Sequence, residues 1–560
     1  MRTTRSILCG LAALAVHCAV PLAAAADDLR FGYAEQVITP PVGAPTFNSQ
    51  VKATGKWDDL WTRALVLSSG KSTVLFSTSD ILGVDEKAVA RIRKDVSAKT
   101  GIAEGAILPV ANHTHPSLWY GNPEPYYSDI IQAIAETAIR AAGALRPCRV
   151  AAATACCEEV GVRGSPEVKW LAVDGSIPVL RIDDLEGKTR LLVTSYGAHP
   201  VCLHPSDKWS ADYPGRVVAS LEGRSAGMQA MFLGGVLGAF NPAAGRTYEN
   251  TTSIGRRIAD AAWTAALSLR PVQAQENVLR IAVRRQVAIG PGGDVPAKEF
   301  LRLLCEHLRN ETVLWQALGR SPPHVKEGLA EHVQRIAGRI AEFEGKLAGD
   351  LPTWAAFADD ICAVRLNDVL WVTSVHENFS GYNQAIRELA RKYGYATVFC
   401  TAKACGLGSY VPDVRALDGD QLWPTYEAQI INHRRGFGDL PRLWAIQDML
   451  AKELGPAVPG RGPGWISGKV TLGGKPALAS VAALQGEAIA DYAVAGISGA
   501  PANFTPKFQL DGDFRLTLPP GTYEVVVARS GSPLKRFPAV KVTAGATATV
   551  DVRLAEGERK

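Results

Sequence analysis

Apolar and polar positions follow a recurring order along most of the chain. Ala64-Leu65-Val66-Leu67 and Thr73-Val74-Leu75-Phe76-Ser77 flank the polar stretch Ser68-Ser69-Gly70-Lys71, the pattern of two buried strands joined by a turn. After Asp85, apolar Val89, Ile92 and Val96 recur at helical spacing as far as Gly101, so Asp85 reads as an N-cap and Gly101 as a stop. Ala106 to Ala111 is apolar again, and strand, helix, strand implies a parallel pair with a right-handed crossover. The order repeats as a strand Leu191 to Tyr196, a helix opened by Ser210-Ala211-Asp212 and running through Val217 and Leu221, and a strand Met228 to Leu233. Later come the strands Ala363 to Leu366 and Val369 to Thr373, a helix from about Ser380 to Lys392, and a strand Ala396 to Cys400. The fold class is α/β, a mixed sheet with helices, and the strand ends collect the polar residues.

Two stretches break this order. Residues 297 to about 347 form a helical hairpin interrupted by Pro322-Pro323, and its His307, His324 and His332 read as surface or packing residues. Between Gly455 and Gly464 seven of ten residues are Gly or Pro, which marks a linker. Beyond it, Ile466 to Val470, Phe514 to Leu518, Tyr523 to Val527 and Thr547 to Val552 are short strands, with Pro519-Pro520-Gly521-Thr522-Tyr523 as a tight turn. Residues 465–560 therefore read as a small all-β sandwich. It holds neither His nor Cys, so its expected role is packing or docking, to a glycan or a protein.

Composition places this pattern in a compartment. Arg2 and Arg5 precede the apolar run Ile7 to Val20 and the small residues Ala23 to Ala26, the layout of a cleaved signal peptide over 1–26. The mature chain is then periplasmic or secreted, with 27–454 as its main domain. Cleavage takes the formal charge from +5 to +3 by removing two arginines, which gives no case for nucleic acid. No later segment has the ~20 apolar residues of a membrane span. Cys9 and Cys18 lie in the leader; among the eight others there is no CxxC. Cys400 with Cys405 is the closest local pair for a bridge, with buried thiols as the alternative.

The chemistry gathers at the strand ends. Asn112-His113-Thr114-His115 follows the strand Ala106 to Ala111, and two imidazoles at i, i+2 in an extended chain share a face. His199 and His204 follow the strand ending at Tyr196, Glu377 follows the one ending at Thr373, and Tyr410 lies past Cys400. Asp80 ends a neighbouring strand and would sit behind the others. Zinc takes N and O ligands and leaves a position for water, whose pKa it lowers toward ~7. Other chemistries lack their motifs: there is no GxSxG, His376-Glu377-Asn378-Phe379-Ser380 lacks the second His of HExxH, and the Gly234 to Gly238 loop is not followed by GK[ST].

Across roughly Phe31 to Asp413 the chain resembles the neutral/alkaline, non-lysosomal ceramidase family. The resemblance rests on Ile38-Thr39-Pro40-Pro41, Arg63 to Leu67, Asp80, His113-Thr114-His115, His199-Pro200, Ser210-Ala211-Asp212, Asn241-Pro242, Glu377 and Tyr410-Val411-Pro412. It implies Zn2+ held by His113, His199, Glu377 and Tyr410, with His115 facing the substrate. Tyr410 or His115 would then stabilise an oxyanion, and His115 or Asp212 would carry a proton. Asn112, Gly235, Asn241 and His204 would contact a small or lipid-like N-acyl substrate. The Pro-Pro-Gly-Thr-Tyr module is similar to carboxypeptidase regulatory-like sandwiches. Three positions depart from the family pattern: Ala239 and Asn241 replace its loop Asp and Ser, Pro116-Ser117 its Ser-Gly, and His376 the Gly before the ligand Glu. The ligand set survives these changes; the groups that would recognise the amide do not. The resemblance thus implies an exported zinc hydrolase of an amide bond. The alternatives are a non-catalytic envelope binding protein, or a metal hydrolase of an ester or carbohydrate-linked substrate.

Overall fold

A computed structural model describes residues 29–47, 51–119, 121, 124–157, 160–163, 174–238, 240–242, 246–271, 277–289, 297–321, 328–349, 357–408, 410–411, 440–496 and 510–555. Residues 1–28 (with the expected signal peptide), Ala239, His324 and residues 412–439 lie outside these. No helix among the described residues is long and apolar enough to cross a membrane.

Three sheets of one design build most of the chain. The first carries β1 (Arg30–Val37), β2 (Trp61–Ser69) and β3 (Ser72–Ser79) as an antiparallel run. Helix α1 (Glu86–Thr100) then crosses over to β4 (Ile107–Ala111), which pairs parallel to β3, and α2 (Tyr126–Gly143) follows. The second repeats this with β5 (Arg149–Cys156), β6 (Ser176–Asp183), β7 (Thr189–Tyr196), α3 (Asp212–Glu222), a parallel β8 (Gln229–Gly234) and α4 (Tyr248–Ser268). The third has β9 (Leu279–Ile289), then an inserted hairpin of α5 (Ala297–Leu318) and α6 (Leu329–Leu347). It resumes with β10 (Phe357–Leu366) and β11 (Val369–Thr373). After the two-residue β12 (Glu377–Asn378), α7 (Ser380–Lys392) crosses to β13 (Thr397–Thr401), parallel to β11. The two-residue β14 (Tyr410–Val411) and α8 (Leu440–Met449) complete it.

Residue period explains how the sheets meet. In β2, Ala64 and Val66 pack under α1 and α2, whereas Leu65 and Leu67 point the other way. In β8, Ala230 and Phe232 face α3 and α4, whereas Met231 and Leu233 join Leu65 and Leu67. Trp371 and Phe399 of the third sheet enter the same central cluster. Each sheet is therefore buried on both faces, which is why its strands read as unbroken apolar runs.

The ends of the three added strands meet. Ala111 N–H donates to Lys403 O at 3.0 Å, and Ala402 N–H to Gly234 O at 3.2 Å. Val110 bridges Ala404, and Gly235 bridges Thr401. The loops leaving all three sheets thus open onto one place.

Asp85 caps α1 by accepting from Ala88 N–H at 3.2 Å, and Gly101 ends it at φ 74°. The eight cysteines among the described residues are not joined in disulfides. The local bridge between Cys400 and Cys405 is not made: Cys400 lies in the cluster under α7 and α8, and Cys405 in the central cluster on the opposite side of the sheet.

Beyond Gly464 the strands form two sheets with a shared interior of Ile466, Val481, Leu516, Val525 and Val527. The inserted hairpin buries its apolar face here, where Leu314 and Trp315 pack on Ala482, Leu484, Val526 and Ala528. His307 and His332 are buried within it as packing residues.

Candidate metal centre

His113 lies two residues past the end of β4. An extended chain does not bring it to His115: its φ is 63°, in the left-handed region that non-glycine residues enter at a cost of about 1–3 kcal/mol. The fold holds it there through Asn112. Asn112 Oδ1 accepts from Thr78 Oγ1 (2.8 Å) and Gly234 N–H (3.1 Å), and its Nδ2 donates to Asp80 Oδ1 (2.8 Å). Asp80 Oδ2 in turn accepts from Trp61 N–H (3.0 Å) and lies 3.4 Å from Arg63. Asn112 is thus a buried knot joining β3, β4 and β8, its polar atoms all engaged.

His113, His115 and His199 offer ring nitrogens within 4.8 Å of one another. His199 comes from the loop after β7, and the carboxylate between His113 and His199 is Glu377, from the loop after β11. One ligand candidate therefore comes from each sheet. Glu377 Oε2 is 3.1 Å from His199 Nε2, and Oε1 is 3.5 Å from His113 Nε2. The other nitrogen of each ring faces a backbone carbonyl, His113 Nδ1 at 2.7 Å from Leu82 O and His199 Nδ1 at 2.8 Å from Leu237 O. A carbonyl can only accept, so each Nδ1 carries a proton, and each Nε2 is left facing the Glu377 carboxylate. Two imidazole nitrogens gathered on one carboxylate form a donor set for a cation. The residues fit a metal ion.

Electrostatics agree. Burial pushes His113 below the usual imidazole range against the pull of Glu377, and pushes His115 well below it with help from His113, His199 and His204. Burial opposes ionisation of Glu377 too, but Lys403 and His113 overcome it and hold the carboxyl well below its usual value. Neutral imidazoles and an ionised carboxylate are the ligand states a metal needs.

Lys403 had no signal in the sequence. Its ammonium is buried and 2.7 Å from Glu377 Oε1, and it also donates to Gly408 O. Its carbonyl takes the Ala111 amide, so one residue ties the Glu377 carboxylate to the strand that leads to His113.

The other residues singled out in the sequence fall in distinct places. Among the described residues neither ring nitrogen of His115 has a hydrogen-bond partner, and the ring stands 4.9 Å from that of His113 and 5.0 Å from that of His204. His115 and the half-buried His204 line a cavity of about 470 Å³ beside the cluster. Asp212, at φ 51°, is fully buried and accepts from Leu203 N–H (3.0 Å) and Tyr213 N–H (2.7 Å), which fixes the loop carrying His204. Asn241 pairs with Val162 in a short ribbon whose Phe240 carbonyl takes the His199 amide. Gly235 is needed for close approach, since a Cβ there would meet Tyr196 O at 2.5 Å. Tyr410 pairs with Glu377 through the backbone of the β12–β14 ribbon; its side chain lies outside the described residues.

Gly238 supplies a test of this construction. A Cβ on it would lie 2.5 Å from Glu377 O and 2.8 Å from Asn378 O, both backbone atoms. Gly238→Ala is expected to displace Glu377 and weaken metal binding by about 10- to 100-fold, the usual cost of misorienting a ligand. Competition with a chromogenic chelator measures it, and unchanged affinity would show that the contact does not set the geometry.

Fold and site together define an α/β protein with a buried histidine–carboxylate centre where three sheets converge. No protein-family model matches the sequence, and no curated protein matches it. Solved structures do. The neutral ceramidase from Pseudomonas aeruginosa aligns at a TM-score of 0.55 and 13% identity, over 94% of this chain and 100% of that one. A ceramidase complexed with C2 aligns at 0.54 and 14%, with the same 94% and 100% coverage. At such identities the likeness speaks for the fold: this chain has the fold of neutral ceramidases.

Proposed function

We propose that the chain is an exported zinc-dependent hydrolase of an amide (N-acyl) bond. The observation that carries this reading is the convergence of His113, His115 and His199 on one point, with Glu377 beside them. The shared fold adds the substrate class, since the neighbours are ceramidases. Zinc, when bound, polarises a carbonyl and makes water nucleophilic near neutral pH.

His113, His199 and Glu377 would hold the ion, with Tyr410 as a further oxygen ligand. Their tautomers and charge are set in advance by Leu82 O, Leu237 O and Lys403. Of the three clustered histidines, His115 is the one that lines the cavity, so it is assigned to the substrate. Buried and neutral, its ring would accept the proton of the attacking water and pass it to the departing amine. The acyl carbon gains the water oxygen, the C–N bond breaks, and a carboxylic acid and an amine leave. Asp212 anchors its loop rather than moving protons, because both its oxygens are occupied by amides.

Hydrolysis of an N-acyl amide by purified mature protein, abolished by a chelator and restored by zinc, tests the reading. Turnover that a chelator leaves intact would reject it, and zinc-dependent turnover of esters but not amides would move the substrate class. Export is tested by the N-terminus of the secreted protein, expected at Asp27.

The pH dependence of metal retention follows from the histidines. Protons compete with metal for imidazole nitrogen, and the lowered pKa of His113 moves that competition to lower pH. Metal should stay bound as pH falls through the ordinary imidazole value of about 6.5 and leave only below it. Metal content after dialysis across this range measures the midpoint; one at or above that value would contradict the buried, neutral ligand set.

A further inference from the structure

The cavity beside His115 has a chemistry that an uncharged head group does not explain. Its volume, about 470 Å³, suits a small-molecule group, and His115 opens on it from the cluster side. His204 stands next, its ring 5.0 Å from that of His115. Arg246 stands beyond, close enough that its charge, after burial, helps push His204 below the ordinary imidazole range. Arg246 makes no ion pair or hydrogen bond among the described residues, whereas the two cations lying against the stacked Trp57 and Tyr248 rings are engaged. Arg216 reaches Asp58 at 3.0 Å, and Lys208 lies over the Trp57 ring at 4.4 Å. The cavity's one carboxylate, Asp207, is held on its own wall by Thr54 Oγ1 at 2.7 Å. Trp57, 44% exposed and stacked on Tyr248, offers an apolar surface at the same mouth.

We propose that Arg246, with His204, forms a head-group subsite for an oxyanion, so that the substrate is an N-acyl amine whose amine half carries a carboxylate or phosphate. This rests on the hydrolase reading for the scissile bond and adds what lies beside it. A guanidinium presents paired donors to a planar or tetrahedral oxyanion, and neutral His204 adds one ring N–H. The acyl chain leaves across Trp57, and the amide sits at His115.

Calorimetric titration of the full, zinc-loaded protein with N-lauroylglycine, N-lauroylethanolamine and N-lauroylphosphoethanolamine tests this, since the three share one acyl chain. The carboxylate or the phosphate ligand should bind about tenfold tighter than the neutral one, or more, as a charge-assisted contact implies. Whichever anion binds tighter identifies the source of the oxyanion. In Arg246→Ala the affinity ratio should fall to near one, and Arg246→Lys should recover part of it. Equal affinities in the wild type, or a preference that survives Arg246→Ala, would overturn the subsite. Turnover of the same compounds separates the two claims. Equal hydrolysis of all three leaves a hydrolase without the subsite; selective binding without hydrolysis of any leaves the subsite and removes the hydrolase.

Discussion

His199→Ala is expected to lose its metal and all zinc-dependent turnover, whereas His115→Ala should keep the metal and lose turnover alone. His199 Nδ1–H is spent on Leu237 O while its Nε2 faces Glu377, so Nε2 is the nitrogen this residue would give the metal and the substitution removes it. Losing a partner that merely orients a ligand costs about 10- to 100-fold in metal affinity, and losing the ligand itself should exceed that. His115 differs in that, among the described residues, neither of its nitrogens has a hydrogen-bond partner, and it lines the cavity. A positioned proton carrier contributes about 10²- to 10⁴-fold, so kcat should fall by that factor with metal content unchanged. Elemental analysis beside kinetics on an N-acyl amide separates the two variants. Metal retained in His199→Ala, or lost from His115→Ala, would reverse their assignments.

The second large effect lies behind Glu377. Asp359 in β10 accepts from Ser374 Oγ (2.6 Å) and Val375 N–H (3.0 Å), and pairs with Arg442 of α8 at 3.2 Å. Arg442 also donates to Asn378 Oδ1 and lies 4.0 Å over the Tyr382 ring. Both charges are fully buried. Asp359→Ala would remove a buried countercharge of Arg442 and should cost about 3–5 kcal/mol, read as a fall in urea midpoint. Asp359→Ala with Arg442→Met removes the buried positive charge as well, so the double variant should be more stable than Asp359→Ala alone. If the single change costs under about 1 kcal/mol, the pair does not support the Glu377 loop.

The strand ends were legible because they are local. Apolar runs stop, His113, His199 and Glu377 follow within a few residues, and the period of each run fixes a sheet buried on both faces. What escaped was whatever depends on distant chain. Asn112 reads as a substrate contact beside His113, yet its partners are Gly234, Thr78 and Asp80, which only the folded sheets bring together. Lys403 is a single lysine after a strand and carries no motif, and its meaning comes from Glu377 across the junction. The imidazole pair converges through a left-handed residue rather than through strand alternation, and no spacing rule reports that. Arg246 was missed for the same reason: it becomes a cavity wall only once the fold brings it beside His204. The threefold recurrence was half visible, since the helical hairpin between β9 and β10 interrupts the third unit.

The most direct measurement is anomalous scattering at the zinc edge from crystals of the zinc-loaded protein. A single peak enclosed by His113, His199 and Glu377, with His115 on its cavity side, is the result this account predicts. No peak there, with Lys403 still paired to Glu377, or zinc at another place in the fold, would contradict it.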